Sequence, residues 1–485
     1  MAAAIVIVTL VSVSVSRGAA APHSIDVTTY DYGTARTGDD PQGGAISHLA
    51  AAASWTATLG GAVYGQPLVD GGRVYVGTEN DTLYALSLTT GRVLWHEQLG
   101  TAVSTSVIDQ ATGLRTGCGD IDPLGITGTP VIDAATGVIY VAEETMVGAT
   151  KWQDIRHDLV AVSLSTHAVL WTRDIDPAQG RTTDGYTIAA EQQRPALTLA
   201  NKTVYVEFGG LAGDCGLYHG MVVGVPASGR GATDLFQVPS HTEGAIWATS
   251  GALVAPDGDL YVASGNGSST TSFDGGDALF QLSPTLAVLS QWAPTNWAQL
   301  TAHDWDLGSA GPVFIPGTSD IFIAGKPEGG STGTVGYVVP DSHLGTGPGA
   351  PLFSGTVCKD LTQDGGDFGA NATAVITVGG VRTTYVFTAC RSATEAVVVH
   401  PGASPTFTQA WSPSTGTPDG PPVYAGGLVW ALDWQHAGLF AMRPTTGHVV
   451  FERATLTLPH FAAPMVADGY VLVPTRTGVE AFATS

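Results

Sequence analysis

Short apolar runs separated by polar turns recur along this chain. In the first copy they occupy residues 65–70, 73–77, 82–86 and 89–95, with Gly, Asn and Asp between them. Runs of this length, rich in Val, Leu, Tyr and Trp and bounded by turn residues, are typical of β-strands. Four such strands joined by short turns predict one four-stranded antiparallel sheet.

The same pattern returns along the rest of the chain. Further copies span residues 127–171, 194–236, 249–292, 309–353 and 369–411, followed by a seventh that ends near Phe451 and an eighth at 462–483. The eighth copy supplies only three strands, and residues 54–59 resemble the Trp-bearing fourth strand of the others. Pairing that segment with the last copy would close a ring and leave no long unpaired edge.

The predicted fold is therefore all-β, an eight-bladed β-propeller of four-stranded antiparallel blades closed by an N-terminal strand. We expect the Trp or Phe near the end of each copy to pack between adjacent blades. Long insertions at residues 102–126, 145–157 and 359–366 should lie on one face of the ring, where loops of that length commonly carry function.

Three segments are expected. Residues 1–21 are small and apolar and end in Ala-Ala-Ala, which predicts a secretory signal, although its start lacks Lys or Arg. Residues 22–45 have no period and are predicted to form an extended N-terminal arm. Residues 46–485 would form the propeller.

Charge and composition indicate which partners are excluded and in which compartment the protein is found. The formal net charge is −23, which argues against a nucleic-acid partner and against anionic membrane surfaces. Beyond the signal, no apolar run is long enough to span a bilayer. The protein is thus predicted to be secreted, periplasmic or held at the cell surface, and its Ala-rich, Lys-poor composition favours a bacterial source.

The four cysteines are Cys118, Cys215, Cys358 and Cys390. An even number in an exported chain predicts two disulfides, for which three pairings are possible. Cys118–Cys215 and Cys358–Cys390 are favoured because they join neighbouring repeats. No C-x-x-C spacing occurs, which argues against a zinc site or an attached haem.

Polar and aromatic side chains lie at strand edges in the fourth and fifth copies. These are Trp247, Asn266, Asp304, Asp306 and Lys326. One interpretation assigns the polar ones to turns and Trp247 to the core. The other brings them around one pocket near the axis, because loops of adjacent blades converge there.

The run A-L-S-L-T-T-G-R-V-L-W at residues 85–95 resembles the repeat of pyrroloquinoline quinone (PQQ) propellers, which include quinoprotein alcohol dehydrogenases and non-enzymatic relatives. The resemblance implies that Trp247 is the floor under a quinone, with Lys326 and Asp304 beside it. It implies Asn266 and Asp306 as ligands of Ca²⁺, and Asp306, in the motif His303-Asp304-Trp305-Asp306, as the catalytic base.

The chain also departs from that family. The adjacent Cys-Cys pair that roofs the quinone is absent, and the third-copy loop around Asp214 lacks the metal-binding Glu. Asp214 is the expected substitute, and Glu207 is nearby but lies on the strand. Two hypotheses follow from these observations. One is a PQQ- and Ca²⁺-dependent dehydrogenase of an alcohol or polyol. The other is a non-catalytic binding or scaffold propeller, whose protein partner the sequence does not identify.

Overall fold

The structure is a computed structural model. It describes residues 26–40, 43–111, 116–148, 151–177, 188–326, 333–359, 367–391, 393–412 and 419–485. The predicted signal lies outside the described residues. Within them the chain forms eight small antiparallel sheets, and the predicted eight-bladed propeller is confirmed.

Each blade runs from an inner strand near the axis to an outer strand at the rim. The strand that completes the ring is β1 (Trp55–Thr58). The strands of the first two blades are β2 (Leu68–Asp70), β3 (Arg73–Thr78), β4 (Thr82–Ser87) and β5 (Val93–Gln98), then β6 (Val131–Asp133), β7 (Val138–Met146), β8 (Ile155–Ser163) and β9 (Val169–Asp174).

The third and fourth blades each gain a fifth strand. Their strands are β10 (Glu191–Gln192), β11 (Thr198–Ala200), β12 (Thr203–Gly210), β13 (Met221–Pro226) and β14 (Asp234–Gln237), then β15 (Leu253–Val254), β16 (Leu260–Ala263), β17 (Leu279–Leu282) and β18 (Val288–Ala293). The short β10 pairs with β12. The fifth strand of the fourth blade, β22 below, pairs in parallel with the outer edge of β18.

The remaining blades follow the predicted four-stranded pattern. Those of the fifth blade are β19 (Val313–Phe314), β20 (Asp320–Ala324), β21 (Thr334–Pro340) and β23 (Phe353–Cys358); β22 (Thr346–Pro348) lies between β21 and β23 in the chain but belongs to the fourth blade. The next two blades comprise β24 (Ala372–Val378), β25 (Val381–Cys390), β26 (Ala393–His400) and β27 (Thr406–Trp411), then β28 (Val423–Ala425), β29 (Leu428–Asp433), β30 (Gly438–Met442) and β31 (Val449–Ala454). The last blade comprises β32 (Met465–Ala467), β33 (Tyr470–Thr475) and β34 (Gly478–Ala483) together with β1.

Helices are few and short in the part of the chain that the structure describes. They are α1 (Thr105–Ile108) and α2 (Trp297–His303), with 3-10 turns at Tyr30–Tyr32, Trp152–Asp154, Ile188–Ala190 and Leu307–Ser309. Among the helices in the described ranges, none combines the length and the apolar character that crossing a membrane requires.

The ring closes as the three-strand final copy predicted. Strand β1 pairs antiparallel with β34, and Trp55 lies opposite Ala481. The last blade therefore takes its outer strand from the start of the propeller and its other three strands from the end. This pairing joins the two ends of the ring by main-chain hydrogen bonds.

The repeated tryptophans pack between blades, as expected from their spacing. The Trp55 ring lies against Gly91 of the next blade, where an added Cβ would come within 2.4 Å of the indole. The Trp55 Nε1–H donates to the Leu88 carbonyl at 2.8 Å. Trp411 repeats this arrangement against Gly447. The T-T-G turn therefore requires Gly at this position, because Gly adopts the left-handed conformation and has no Cβ to clash with the indole of the preceding blade.

The arm before β1 runs along the axial channel and contacts most of the blades. Val27 bridges to Val69 of β2, and the Asp40 amide donates to the Tyr424 carbonyl of β28. Arg36 is fully buried and donates to the carbonyls of Ala252 and Leu197. These hydrogen bonds place the arm across the channel at the end where the inner strands turn into the second strands.

Both favoured disulfides are present. Cys118 bonds to Cys215 and Cys358 bonds to Cys390. The first joins two loops, the one between β5 and β6 and the one between β12 and β13, so it ties the first long insertion to the third blade. The first two insertions also meet, through a bridge between Ala102 and Thr145. Most of the third insertion lies outside the described residues.

Candidate functional site

One repeat position supplies side chains to the axis. It is the residue four places before the first residue of each inner strand, namely Tyr64, Thr127, Arg194, Thr249, Ser309, Phe368, Asp419 and Phe461. Tyr64, Thr127, Arg194, Thr249 and Phe461 surround a small internal cavity together with Tyr30 of the arm. The arm thus closes one end of the axial channel, and the other end is open.

The open end holds a cavity of about 330 Å³. The loops that line it lead into an inner strand or join a second strand to a third, and these loops share one face of the ring. The lining residues are Asp120, Arg194, Gly210, Leu211, Ala212, Gly213, Asp214, Tyr218, Ala245, Trp247, His303, Asp304, Asp306, Lys326, Phe368, Arg391 and Phe461.

An ammonium group joins the two carboxylates of the His303–Asp306 segment. Lys326 Nζ lies 2.6 Å from Asp304 Oδ1 and 2.7 Å from Asp306 Oδ2. The main-chain amide of Asn266 donates to Asp306 Oδ1 at 2.8 Å, and its side-chain Nδ2 donates to Asp304 Oδ1 at 2.9 Å. Four sequence-predicted residues are thus brought into one hydrogen-bonded cluster.

Local structure explains how these groups reach each other. Helix α2 ends at His303, and the next residue, Asp304, adopts a left-handed conformation with φ 57°. That reversal turns the chain back toward Lys326, which follows β20, and the Lys326 amide donates to the Asp306 carbonyl at 3.0 Å. The main chain therefore holds the lysine and the carboxylates side by side.

Electrostatics favour a charged lysine. Burial alone would lower the pKa of Lys326, but Asp306 and Asp304 outweigh that effect and leave its pKa raised. Behind the pair, burial raises the pKa of Asp277 well above its ordinary value, and the charge of Asp306 adds to the effect. Asp277 accepts hydrogen bonds from the Leu307 amide and the Thr301 hydroxyl, so it supports the loop that carries Asp306.

Aromatic rings and a guanidinium form the wall beside this cluster. The Trp247 ring lies 6.2 Å from both Phe368 and Phe461, and Phe368 stacks on Phe461 at 5.6 Å. The Arg194 guanidinium lies 5.5 Å from the Trp247 ring centroid and 5.4 Å from that of Phe461. Lys326 Nζ is 5.9 Å from the Trp247 ring. Cations over aromatic faces at these distances are attracted to them.

Backbone strain accompanies the cavity. Asp214, Asp304 and Phe461 line it with φ of 50°, 57° and 58°. Left-handed backbone costs about 1 kcal/mol or more for residues other than Gly, and such strain concentrates at functional sites. Phe461 is a bulky residue for which this conformation is uncommon. These observations favour the cavity as the functional site.

The arrangement does not fit Ca²⁺. Lys326 Nζ lies between Asp304 and Asp306 and neutralises both carboxylates, so it occupies the position that a metal cation would take. Ca²⁺ also needs about six to eight oxygen ligands. Over the described ranges, no three Asp, Glu, His or Cys side chains are grouped so as to hold a metal ion. Asp214 instead accepts a hydrogen bond from the Tyr218 hydroxyl at 2.7 Å. The metal-binding role of Asn266, Asp306 and Asp214 stays a prediction that this arrangement does not favour.

Sequence reasoning missed part of the wall. Arg194, Phe368 and Phe461 were not predicted, although all three occupy the repeat position four places before an inner strand. Aligning the copies on that position would have revealed them. Asp120 and Arg391 carry no comparable signal, because they come from insertions and turns with no repeat pattern.

Comparison with known proteins agrees with the fold. The family model described as outer membrane protein assembly factor BamB, a PQQ-repeat model, matches residues 37–210. The chain carries the PQQ-type propeller repeat. No curated protein matches it in sequence.

Solved structures similar to this chain include dehydrogenases and BamB. A quinohemoprotein alcohol dehydrogenase from Pseudomonas putida HK5 has a TM-score of 0.62 at 13% identity, over 95% of this chain and 80% of that one. A europium-containing methanol dehydrogenase has a TM-score of 0.61 at 14% identity, over 94% and 98%. BamB from Moraxella catarrhalis has a TM-score of 0.53 at 11% identity, over 88% and 98%. At these identities the likeness shows the fold alone.

Proposed function

We propose that this chain is an exported PQQ-type propeller that binds a planar small molecule over Trp247. The observation that carries the proposal is the open axial cavity, where an aromatic face lies beside the Lys326–Asp306 pair. The volume of about 330 Å³ falls within the range of small-molecule sites. The two disulfides support export, because disulfides persist in oxidising compartments.

The wall chemistry suits a flat, anionic ligand. Trp247, Phe368 and Phe461 offer ring faces for stacking. Arg194, Lys326 and Arg391 line the same cavity and offer charged donors to carboxylate oxygens. A quinone with carboxylate groups, such as PQQ, combines these two properties.

Alcohol oxidation with PQQ is the catalytic form of this proposal. A bound quinone would accept two electrons from the alcohol. Within the chain, Asp306 Oδ2 is paired with the Lys326 ammonium, and this ion pair can hold a proton at the cavity wall. Lys326 would also stabilise negative charge that develops on a ligand oxygen. No step is assigned to Ca²⁺, because the arrangement does not fit it.

A non-catalytic binding or scaffold propeller is the second candidate. The observation that favours it is the internal neutralisation of the cluster, because Lys326 is already paired with both Asp304 and Asp306. The similarity to BamB, an outer membrane protein assembly factor, supports the same candidate. Under this proposal the cavity would bind a ligand or a partner segment without chemistry.

Calorimetry tests whether the cavity binds a quinone, and turnover by the loaded protein then separates the two candidates. We would titrate PQQ, with and without Ca²⁺, into the wild type, Trp247→Ala and the control Trp95→Ala, which removes an indole from the rim of the first blade. Stacking on an aromatic side chain is worth about 1–3 kcal/mol, so Trp247→Ala should weaken binding by about 5-fold to 150-fold. Trp95→Ala should bind like the wild type.

Other results would contradict the proposal. If the wild type shows no binding heat at tens of micromolar PQQ, the protein is not a quinone-binding protein and the non-catalytic candidate remains. Equal affinity of all three proteins shows that a quinone binds away from Trp247. Turnover of alcohols by the PQQ-loaded wild type, lost in Asp306→Asn while PQQ affinity is kept, supports the catalytic form.

A further inference from the structure

Buried carboxylates meet where the first two blades join. Glu79 and Asp81 lie in the turn between β3 and β4, and Glu143 and Glu144 lie near the end of β7. Asp81 is fully buried, and each of the three Glu residues is only 2% exposed. The cluster is separate from the axial cavity and is used by neither candidate function.

Within the described residues, most of these carboxylate oxygens accept no hydrogen bond of ordinary length, although the Thr145 hydroxyl faces Asp81 and His157 Nε2 lies 3.6 Å from Glu144 Oε2. They are both oxygens of Asp81, both of Glu144, Oε2 of Glu143 and Oε1 of Glu79. A buried ionised carboxylate without a partner costs several kcal/mol, so such groups become neutral instead. The unpartnered oxygens therefore require protons or a counter-charge.

The charged groups around the cluster do not supply that counter-charge to Asp81. Those facing Asp81 are acidic, namely Glu143, Glu79 and Glu144. Those facing the other three members are Asp158, Arg156, His157, Asp176 and Arg194. Arg156 is bonded to Asp158, and His157 is bonded to Asp176 at 2.8 Å while lying 3.6 Å from Glu144.

Two glycines show how closely the cluster is packed. A Cβ at Gly125 would lie 2.7 Å from Asp81 Oδ1, and a Cβ at Gly100 would lie 2.9 Å from Glu143 Oε2. Burial, with Glu143 and Glu79 adding to it, raises the pKa of Asp81 to about 10. Burial likewise raises the pKa of Glu143 and of Glu79 to about 8. Geometry and electrostatics thus agree that neutral carboxyls occupy this junction.

We propose that the junction of the first and second blades is a proton-dependent latch, in which Asp81 and Glu143 hold protons in the folded protein. Ionising both would place two like charges in a closely packed, buried space, and the blades would separate at that end of the junction. The latch is a property of the fold and does not depend on which ligand the cavity binds.

The latch lies at the base of the loop that reaches the cavity. The Gly125 amide donates to Glu79 Oε2 at 2.8 Å, and the Glu144 amide donates to the Gly125 carbonyl at 3.0 Å. The loop that ends at Gly125 carries Cys118 and the cavity residue Asp120. Loosening the junction would therefore free the base of one cavity wall.

The direction of the pH effect follows from proton linkage. Carboxyls whose folded pKa lies above the unfolded value of about 4 bind protons on folding. The stability that they contribute is complete below the unfolded pKa of about 4 and is lost as the pH rises through the folded pKa, which is about 8 for Glu143 and about 10 for Asp81. Between the unfolded and the folded pKa, each held proton changes the ratio of folded to unfolded protein by about tenfold per pH unit.

The test compares thermal unfolding from pH 5 to pH 9 in the wild type, Asp81→Asn and Glu143→Gln. Both substitutions mimic the protonated form. Each variant should show a smaller fall of melting temperature with pH than the wild type, with its largest gain at pH 9. The control Glu452→Gln removes an exposed carboxyl of β31 and should keep the wild-type slope. Hydrogen exchange at pH 9 should report faster exchange near Gly125 in the wild type than in Asp81→Asn.

Two results would overturn the latch. One is a pH slope that stays unchanged in both variants. The other is a fall of melting temperature at pH 6 on addition of a chelator, reversed by Ca²⁺, because the counter-charge would then be a metal ion. If Asp81→Asn fails to fold, Glu143→Gln and the infrared carbonyl band of a protonated carboxyl in the wild type decide between the outcomes.

Discussion

Replacing Lys326 by Met should destabilise the protein sharply, because it removes the only cation in contact with Asp304 and Asp306 within the described cluster. The side chains of Lys326 and Asp306 are 17% and 10% exposed, whereas that of Asp304 is 62% exposed. Breaking a buried ion pair costs about 3–5 kcal/mol, and an exposed one contributes about 1 kcal/mol or less. We therefore expect a loss near the lower end of the buried range, about 3 kcal/mol.

A double-mutant cycle isolates the pair. Asp306→Asn removes the charge that Lys326 neutralises, so Lys326→Met should cost less in that background than in the wild type. The difference should be about 1–3 kcal/mol, as for contacting residues in one network. The exposed Lys359→Met is the matched control and should change the melting temperature little.

Urea unfolding and calorimetry at several pH values provide the assay. The Asp306 and Asp304 charges raise the pKa of Lys326, so the contribution of the pair is complete below the ordinary lysine pKa of about 10.4 and is lost only above it. The difference between wild type and Lys326→Met should thus be constant from pH 6 to pH 9. A cost below about 1 kcal/mol, or additive effects of the single and double variants, would show that the pair is neither buried nor coupled.

Three further predictions concern the ring. Gly91→Ala should destabilise more than Gly380→Ala, since both have positive φ but only Gly91 faces an indole, and melting temperatures of the two variants check this. Deleting the chain through Leu59 should sharply lower the melting temperature, because β1 is the outer strand of the last blade, and a truncated protein that melts like the mature chain would contradict this closure. Replacing Cys118 and Cys215 by Ser should cost more than replacing Cys358 and Cys390, because the loops span 97 and 32 residues, and the chain-entropy model gives about 4.7 kcal/mol for a loop of about 100 residues. Similar unfolding midpoints for the two double variants would contradict that ranking.

The fold could be predicted from the sequence because each copy of the repeat encodes the same strands and turns. Each copy has its turns at fixed places, the final copy lacks one strand, and Trp55 stands where the missing strand should be. Packing of Trp55 on Gly91 explains why the T-T-G turn and the Trp recur together. The extra strands β10 and β22 could not be predicted, because residues 191–192 and 346–348 have no strand-like pattern of their own.

The candidate site was only partly readable. Trp247, Asn266, Asp304, Asp306 and Lys326 were predicted to come together, and the structure places them around one cavity rim or in contact with it. The direct pairing of Lys326 with both carboxylates was missed, because it depends on the left-handed turn at Asp304. The latch was missed for a similar reason, since Asp81 and Glu143 are far apart in sequence and meet only through the packing of two blades.

A crystal structure of the protein soaked with PQQ would show directly whether this cavity binds a quinone. We expect the planar ligand in the axial cavity, stacked on the Trp247 indole and in contact with Lys326. A ligand bound elsewhere on the ring, or an empty cavity at saturating PQQ while Trp247 remains accessible, would contradict the assignment of this cavity as a site for a planar quinone.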